Sequence, residues 1–124
     1  MPPDFSNDKP IFQQIAEELE DAILSGAFRE EEQIPSTTEI SVNYKINPAT
    51  ALKGINLLVE ESVAYKRRGV GMFVSPGAKQ RIQEKRRQSF FRAFVLPLVR
   101  EAGKLGLGPE DTAELIKRGF KDAN

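Results

Sequence analysis

A mainly α-helical chain with one small β-hairpin, extended by a short helical arm, is the fold this sequence predicts. Three observations predict it. Between residues 35 and 61 two helix patterns are separated by only three residues, Lys45-Ile46-Asn47. Residues 63–67 form a short strand pattern, answered by Met72-Phe73-Val74 across a tip that carries Gly69 and Gly71. From Phe90 to Phe120 apolar residues recur at helical spacing, in too little chain to form a sizeable domain. Helix, tight turn, helix and basic-tipped hairpin together spell a winged helix-turn-helix. Residues 1–76 are assigned to this DNA-binding domain and residues 77–124 to a two-helix dimerisation region.

Residues 1–8 read as a loose leader. Asp8 or Lys9 is the expected cap of a first helix, with Pro10 near its start. Ile11, Ile15, Leu19, Ala22 and Ile23 repeat at helical spacing and form its buried stripe. Glu17, Glu18, Glu20 and Asp21 fill the outer face, which repels phosphate, so this helix backs the reading head. Gly26 stops it. Residues 27–33 are a loop anchored by Phe28.

Ser36 is followed three residues later by Glu39, the spacing of a capping box. The second helix is expected over Thr37–Tyr44, with Ile40 and Tyr44 inward. Asn47 caps the third helix and Pro48 takes its first position, where a missing N–H costs nothing. This helix is expected over residues 48–61, burying Ala51, Ile55, Leu58 and Val59. Gly54 inside it reads as a point of close helix packing, because an exposed helical glycine costs roughly 1 kcal/mol against alanine. The strands follow, with residues 68–71 as the tip.

The second helix of a helix-turn-helix presents its N-terminal residues to base edges in the major groove. Asn47, Thr50 and Lys53 lie at that end. Asparagine suits adenine, threonine a thymine methyl, and lysine a guanine or a phosphate. Ser36, Thr37, Thr38 and Ala49 lie where helix N-termini offer amides to phosphate. Arg67 and Arg68, with Gly69 and Gly71, suit an adjacent groove or the backbone.

Ile34-Pro35-Ser36, Glu39-Ile40, Ile46-Asn47-Pro48-Ala49-Thr50 and residues 69–74, Gly-Val-Gly-Met-Phe-Val, occur in the order of a known pattern. It resembles the N-terminal domain of the GntR family of bacterial transcription regulators, over residues 9–74. The form of the turn and the short C-terminal region are most similar to the YtrA branch. The resemblance implies a short strand near Gln33-Ile34 and a repressor of a nearby operon, often one for a transporter. It also implies arginines where this chain has Thr38, Pro48 and Leu52, and a glycine where it has Ser62. The operator therefore does not carry over from the family.

After Pro76-Gly77 a long helix is expected from Ala78 to about Gly103, polar and basic at first, then apolar. Its basic part either touches DNA backbone or stays solvated, solvation being the expected state. Pro97 lies inside the pattern and is expected to kink or break it. A turn at residues 105–108 leads to a last helix opened by Pro109-Glu110-Asp111. Phe90, Phe91, Phe94, Val95, Leu98, Ile116 and Phe120 need a covering surface. A second copy of the chain is the expected one, and folding back onto the winged domain is the alternative. About fifty residues after the wing leave little room for a small-molecule pocket within one subunit, a site at the dimer interface is the alternative, and nothing identifies an effector.

The 124 residues are 40% hydrophobic and 29% charged, with a net charge of zero. The charge is distributed unevenly. Residues 1–43 carry ten acidic and two basic side chains, residues 44–87 ten basic and three acidic, and residues 88–124 six basic and five acidic. Phosphate responds to the local field and not to the total. Cysteine, histidine and tryptophan are absent, which excludes disulfides, thiolate metal sites and His- or Cys-based catalysis. Glu30-Glu31-Glu32 lacks a partner nucleophile, so no catalytic residue, metal or cofactor is expected. With no apolar run of membrane length and no signal segment, no membrane contact and a cytoplasmic location are expected. The expected function is a homodimeric, sequence-specific regulator of double-stranded DNA at a palindromic operator. The alternative is a winged-helix module that docks proteins without specific DNA readout.

Overall fold

In the computed structural model, which describes residues 9–123, the order is four helices interrupted by a hairpin, a π-helical turn and two more helices. Helix α1 is Ile11–Ser25, α2 Thr37–Tyr44 and α3 Pro48–Glu60; strands β1 and β2 are Ala64–Arg67 and Gly71–Val74. Helix α4 is Ala78–Phe90, the π-helical turn Phe91–Val95, α5 Leu96–Lys104 and α6 Pro109–Ala123. The chain divides into two units, one ending at Lys85 and one beginning at Arg86. The leader and the Asp8 cap fall outside the described residues.

The first unit is built on α1 against α3. Ile15, Leu19 and Ile23 of α1, Ala51, Ile55 and Leu58 of α3, Ile40, Val63 and Val74 are buried in one cluster. Each of the valine, leucine and isoleucine side chains stabilises the fold by about 1.5–3 kcal/mol. Gly54 lets the two helices meet: a Cβ there would stand 3.0 Å from the Phe12 carbonyl oxygen and 3.1 Å from Ile15 Cγ2. Phe28 packs against the cluster, as its loop requires. Ala78 and Ile82 of α4 are fully buried in it too, so α4 begins as part of the head.

Four expectations are corrected here. Among the described residues no side chain caps α1, so Lys9 is not its cap. Pro10 holds the N-cap position, its carbonyl accepts from the Gln13 and Gln14 amides, and the Gln14 side chain donates to the Lys9 carbonyl. Val59 is 39% exposed and Ile11 40%, because each lies at the margin of its helix's stripe. Glu20 does not lie on the outer face; it is 2% exposed. The basic start of α4 is not simply solvated, because it supplies Glu20's partner. Lys85 Nζ stands 2.5 Å from Glu20 Oε2 and 2.6 Å from Glu61 Oε2. Arg81 likewise donates to the Ser62 and Pro76 carbonyls.

Burial alone would lower the Lys85 pKa, but its hydrogen bonds to Glu20 and Glu61 and their charges outweigh burial and raise it above its ordinary 10.5. The pairing therefore contributes stability fully below pH 10.5 and loses it as pH rises through the raised value. Lys85→Met is expected to cost about 1–3 kcal/mol in urea unfolding, discounted because the lysine is half exposed. The gap from the wild type holds at neutral pH and closes in strong alkali; closure near pH 7 contradicts this.

The hairpin pairs Ala64 with Val74, Tyr65 with Phe73, Lys66 with Met72 and Arg67 with Gly71. Gly71 thus belongs to β2. The implied strand near Gln33 is present as a single bridge, Gln33 to Phe73. It extends through the Ile34 amide to Met72, the Val74 amide to Glu32 and the Glu31 amide to Val74. Ser62 takes φ +61°, the left-handed conformation that makes glycine the usual residue there.

In the second unit the helix does not break at Pro97. It widens before it: the Leu96 amide donates to the Phe91 carbonyl, five residues back. Proline has no N–H to give and its ring crowds the preceding turn, so a π-helical turn is a low-cost accommodation. Helices α5 and α6 flank an open apolar groove of about 350 Å³ lined by Val95, Leu98, Ala102, Pro109, Thr112 and Ile116. Gly108 joins the helices, its amide donating to Asp111 Oδ2 and its carbonyl accepting from Thr112 Oγ1.

Candidate nucleic-acid interface

The helix-turn-helix is fixed by side-chain bonds to its own backbone. Ser36 Oγ accepts from the Glu39 amide and Glu39 Oε1 from the Ser36 amide, each at 3.1 Å. Lys45 ends α2 in a left-handed conformation, φ +55°. Ser41 Oγ donates to the Ile46 carbonyl at 2.7 Å and pins the turn. Sequence reading passed over Ser41, because a mid-helix serine carries no signal of its own. Asn47 Oδ1 accepts from the Ala49 amide at 2.7 Å. The Ala49 amide is therefore not free for a phosphate, and Asn47 keeps its NH₂ group and one lone pair of Oδ1.

Ser36 and Thr38 are exposed at the opening of α2, with Thr37 half-buried. On α3, Asn47, Ala49 and Lys53 are exposed and Thr50 is half-buried. Lys53 does not extend freely: its Nζ lies 4.3 Å from the centroid of the Phe12 ring, a cation–π contact with α1. Burial also acts on Tyr44 behind the turn. Desolvation first, then the charge of Glu18, raises its pKa and keeps the phenol neutral.

The wing treats its two arginines differently. The Tyr65 hydroxyl donates to Glu31 Oε2 at 2.8 Å. Arg67 Nη2 donates to the Tyr65 oxygen at 3.1 Å and to Glu31 Oε2 at 3.4 Å. The Arg67 guanidinium lies 4.3 Å from the Phe73 ring centroid. Glu31 holds this position at φ +70°, a conformation in which a non-glycine residue carries backbone strain. Arg67 is thus a braced group. Among the described residues Arg68 and Lys66 make no hydrogen bond or ion pair. Gly69 turns the tip at φ +76° with open space around it. Gly71, at φ +147°, leaves room for Gln33, whose Nε2 donates to the Val70 carbonyl across the wing. The Glu31 and Gln33 contacts join residues more than thirty positions apart, which no local pattern announces.

The residues expected to form a dimer contact lie in the second unit. Phe90, Phe91, Phe94, Leu98, Ile116 and Phe120 are 42–71% exposed in the single chain and Val95 is half-buried. Phe90 and Phe94 rings stand 5.6 Å apart.

A capped helix-turn-helix followed by a glycine-tipped basic hairpin defines a winged helix-turn-helix DNA-binding protein. The family model for bacterial regulatory proteins of the gntR family matches residues 11–74, and the chain belongs to the GntR family of DNA-binding transcription regulators. It is a regulator and not an enzyme. The chain is similar to the transcriptional repressor YtrA of Bacillus subtilis, 27% identical over 108 residues, covering 87% of this chain and 82% of that protein. A GntR-family transcriptional regulator from Bacteroides thetaiotaomicron has the same fold, with TM-score 0.71 and 32% identity over 92% of this chain and 99% of that one. The AraR DNA-binding domain, solved in complex with operator ORE1, matches with TM-score 0.53 and 27% identity over 60% of this chain and 90% of that one. Among the described residues no helix is long and apolar enough to cross a membrane.

Proposed function

We propose that the chain is a dimeric, sequence-specific repressor that docks α3 in the major groove of a two-fold operator, with the wing in the next groove or on its backbone. The observation that carries this reading lies in one unit: α3, opened by an exposed Asn47 cap, and a wing whose Lys66 and Arg68 have no hydrogen-bond or ion-pair partner among the described residues. The similar AraR domain was solved on an operator, and YtrA is a repressor, which supports the DNA partner and the sign of regulation. The exposed arm residues supply the dimer contact. A nearby operon, such as one for a transporter, is the target by analogy, and the site of action is the cytoplasm.

Arg68→Ala tests the docking. It lowers affinity for the selected duplex about threefold to tenfold and reduces the salt slope by roughly 1 for each wing, because one phosphate contact is lost. Full affinity with an unchanged slope overturns the docking. It favours instead the protein-docking module, for which the exposed Leu52 and Val42 are apolar contacts.

A further inference from the structure

The outward face of α3 carries no guanidinium. Ala49, Leu52, Lys53 and Asn56 are exposed, while Ala51, Gly54, Ile55 and Leu58 are buried on the other side. Spacings of three and four residues place both sets on single faces. The outward set contains one cation, Lys53, and its ammonium is held over Phe12. At its centre stands Leu52, with 47% of its surface in solvent. A lone exposed leucine needs no explanation elsewhere on a protein, but here it occupies the face that a helix-turn-helix turns to base edges.

Major-groove chemistry decides what such a face can read. Guanine offers two acceptors and is met by arginine or lysine; adenine offers a donor and an acceptor and is met by an amide; thymine offers a methyl group. The Asn56 amide suits adenine, and the NH₂ of Asn47 can donate to N7 of either purine. Leu52 and Ala49 suit the thymine methyl. Neither a guanidinium nor an unengaged ammonium is present on this face to give guanine its usual charged partner.

We propose that Leu52 is a specificity-determining residue that packs on a thymine methyl, and that this chain selects half-sites with an A·T core. The inference rests on the DNA reading proposed above. The wing agrees with it, since Lys66 and Arg68 are cations of the kind drawn into the narrow, strongly negative minor groove of A·T tracts.

The test uses the full chain and the duplex it enriches from a random pool. Each thymine of the enriched half-site is replaced in turn by uracil, which removes the methyl and keeps every hydrogen bond. At one thymine per half-site the wild type is expected to lose about threefold to fivefold in affinity, the worth of one buried methyl. Leu52→Ala, a surface change that leaves the core intact, binds the thymine duplex more weakly and no longer distinguishes uracil. Leu52→Met retains the distinction. Equal wild-type affinity for thymine and uracil at every position overturns the proposal while leaving the DNA reading in place. So does discrimination that survives in Leu52→Ala, or an enriched half-site with a G·C core. If no duplex is enriched and none is bound, both readings fall together.

Discussion

A chain carrying Phe94→Asp and Ile116→Asp is expected to sediment as a monomer at concentrations where the wild type is a dimer, and to bind a two-half-site operator at least about 100-fold more weakly. Both side chains belong to the exposed apolar set of the second unit, Phe94 at 65% and Ile116 at 43%. An aspartate placed there must be desolvated without a partner when two copies meet, a cost of several kcal/mol for each charge. In the single chain both positions are exposed, so the monomer keeps its fold and its melting transition. The loss of affinity comes from the second reading head. Once one head is bound, the other is present at millimolar effective concentration, and a monomer forfeits that advantage. Binding to an isolated half-site therefore changes little. A wild type that is itself monomeric, or a variant that remains a dimer, contradicts the proposed interface.

The second large effect concerns stability. Gly54→Val is expected to cost about 2–4 kcal/mol in urea unfolding, where Gly54→Ala stays within about 1 kcal/mol of the wild type. The added Cβ already presses on the Phe12 carbonyl and on Ile15, which requires shifts of a few tenths of an ångström. For alanine the helix-propensity gain of about 1 kcal/mol offsets that pressure. Valine adds two branches against backbone that cannot rotate away, so α1 and α3 must separate. Because α3 also carries the proposed reading face, the valine variant is expected to lose DNA affinity at temperatures where it is still folded. Equal stability of the two variants would mean that the α1–α3 contact is not the tight point of this fold.

What was legible in the sequence was local. The capping box at Ser36 and Glu39, the Asn47-Pro48 start of α3, the Gly69 tip and the Gly26 stop each declare themselves within four residues. The structure has α2 at its expected bounds and α3 within a residue of them. Gly54 was legible as an exception to helix propensity, which left close packing as its reason. What escaped were long-range polar partnerships. Glu20 looks like its acidic neighbours on α1, and only α4, sixty-five residues on, makes it a buried carboxylate with an ammonium. Arg67 reads as a free wing cation, yet Glu31, thirty-six residues earlier, braces it. Pro97 was legible as a disturbance, but its form, a widened turn and not a break, depends on register that composition does not specify. On the reading face the sequence listed amides and hydroxyls. It did not reveal that the Ala49 amide is taken by Asn47 or that Lys53 leans on Phe12, and these two contacts leave Leu52 as the distinctive group.

The most direct test of the central claim is a fluorescence-anisotropy titration of the full chain against a randomised duplex pool and its enriched fraction, across a salt series. The account predicts enrichment of a two-fold-symmetric site, bound by two chains, with affinity falling linearly in log–log form as salt rises. Absence of binding at low salt, or salt-sensitive binding with no enriched site, contradicts it.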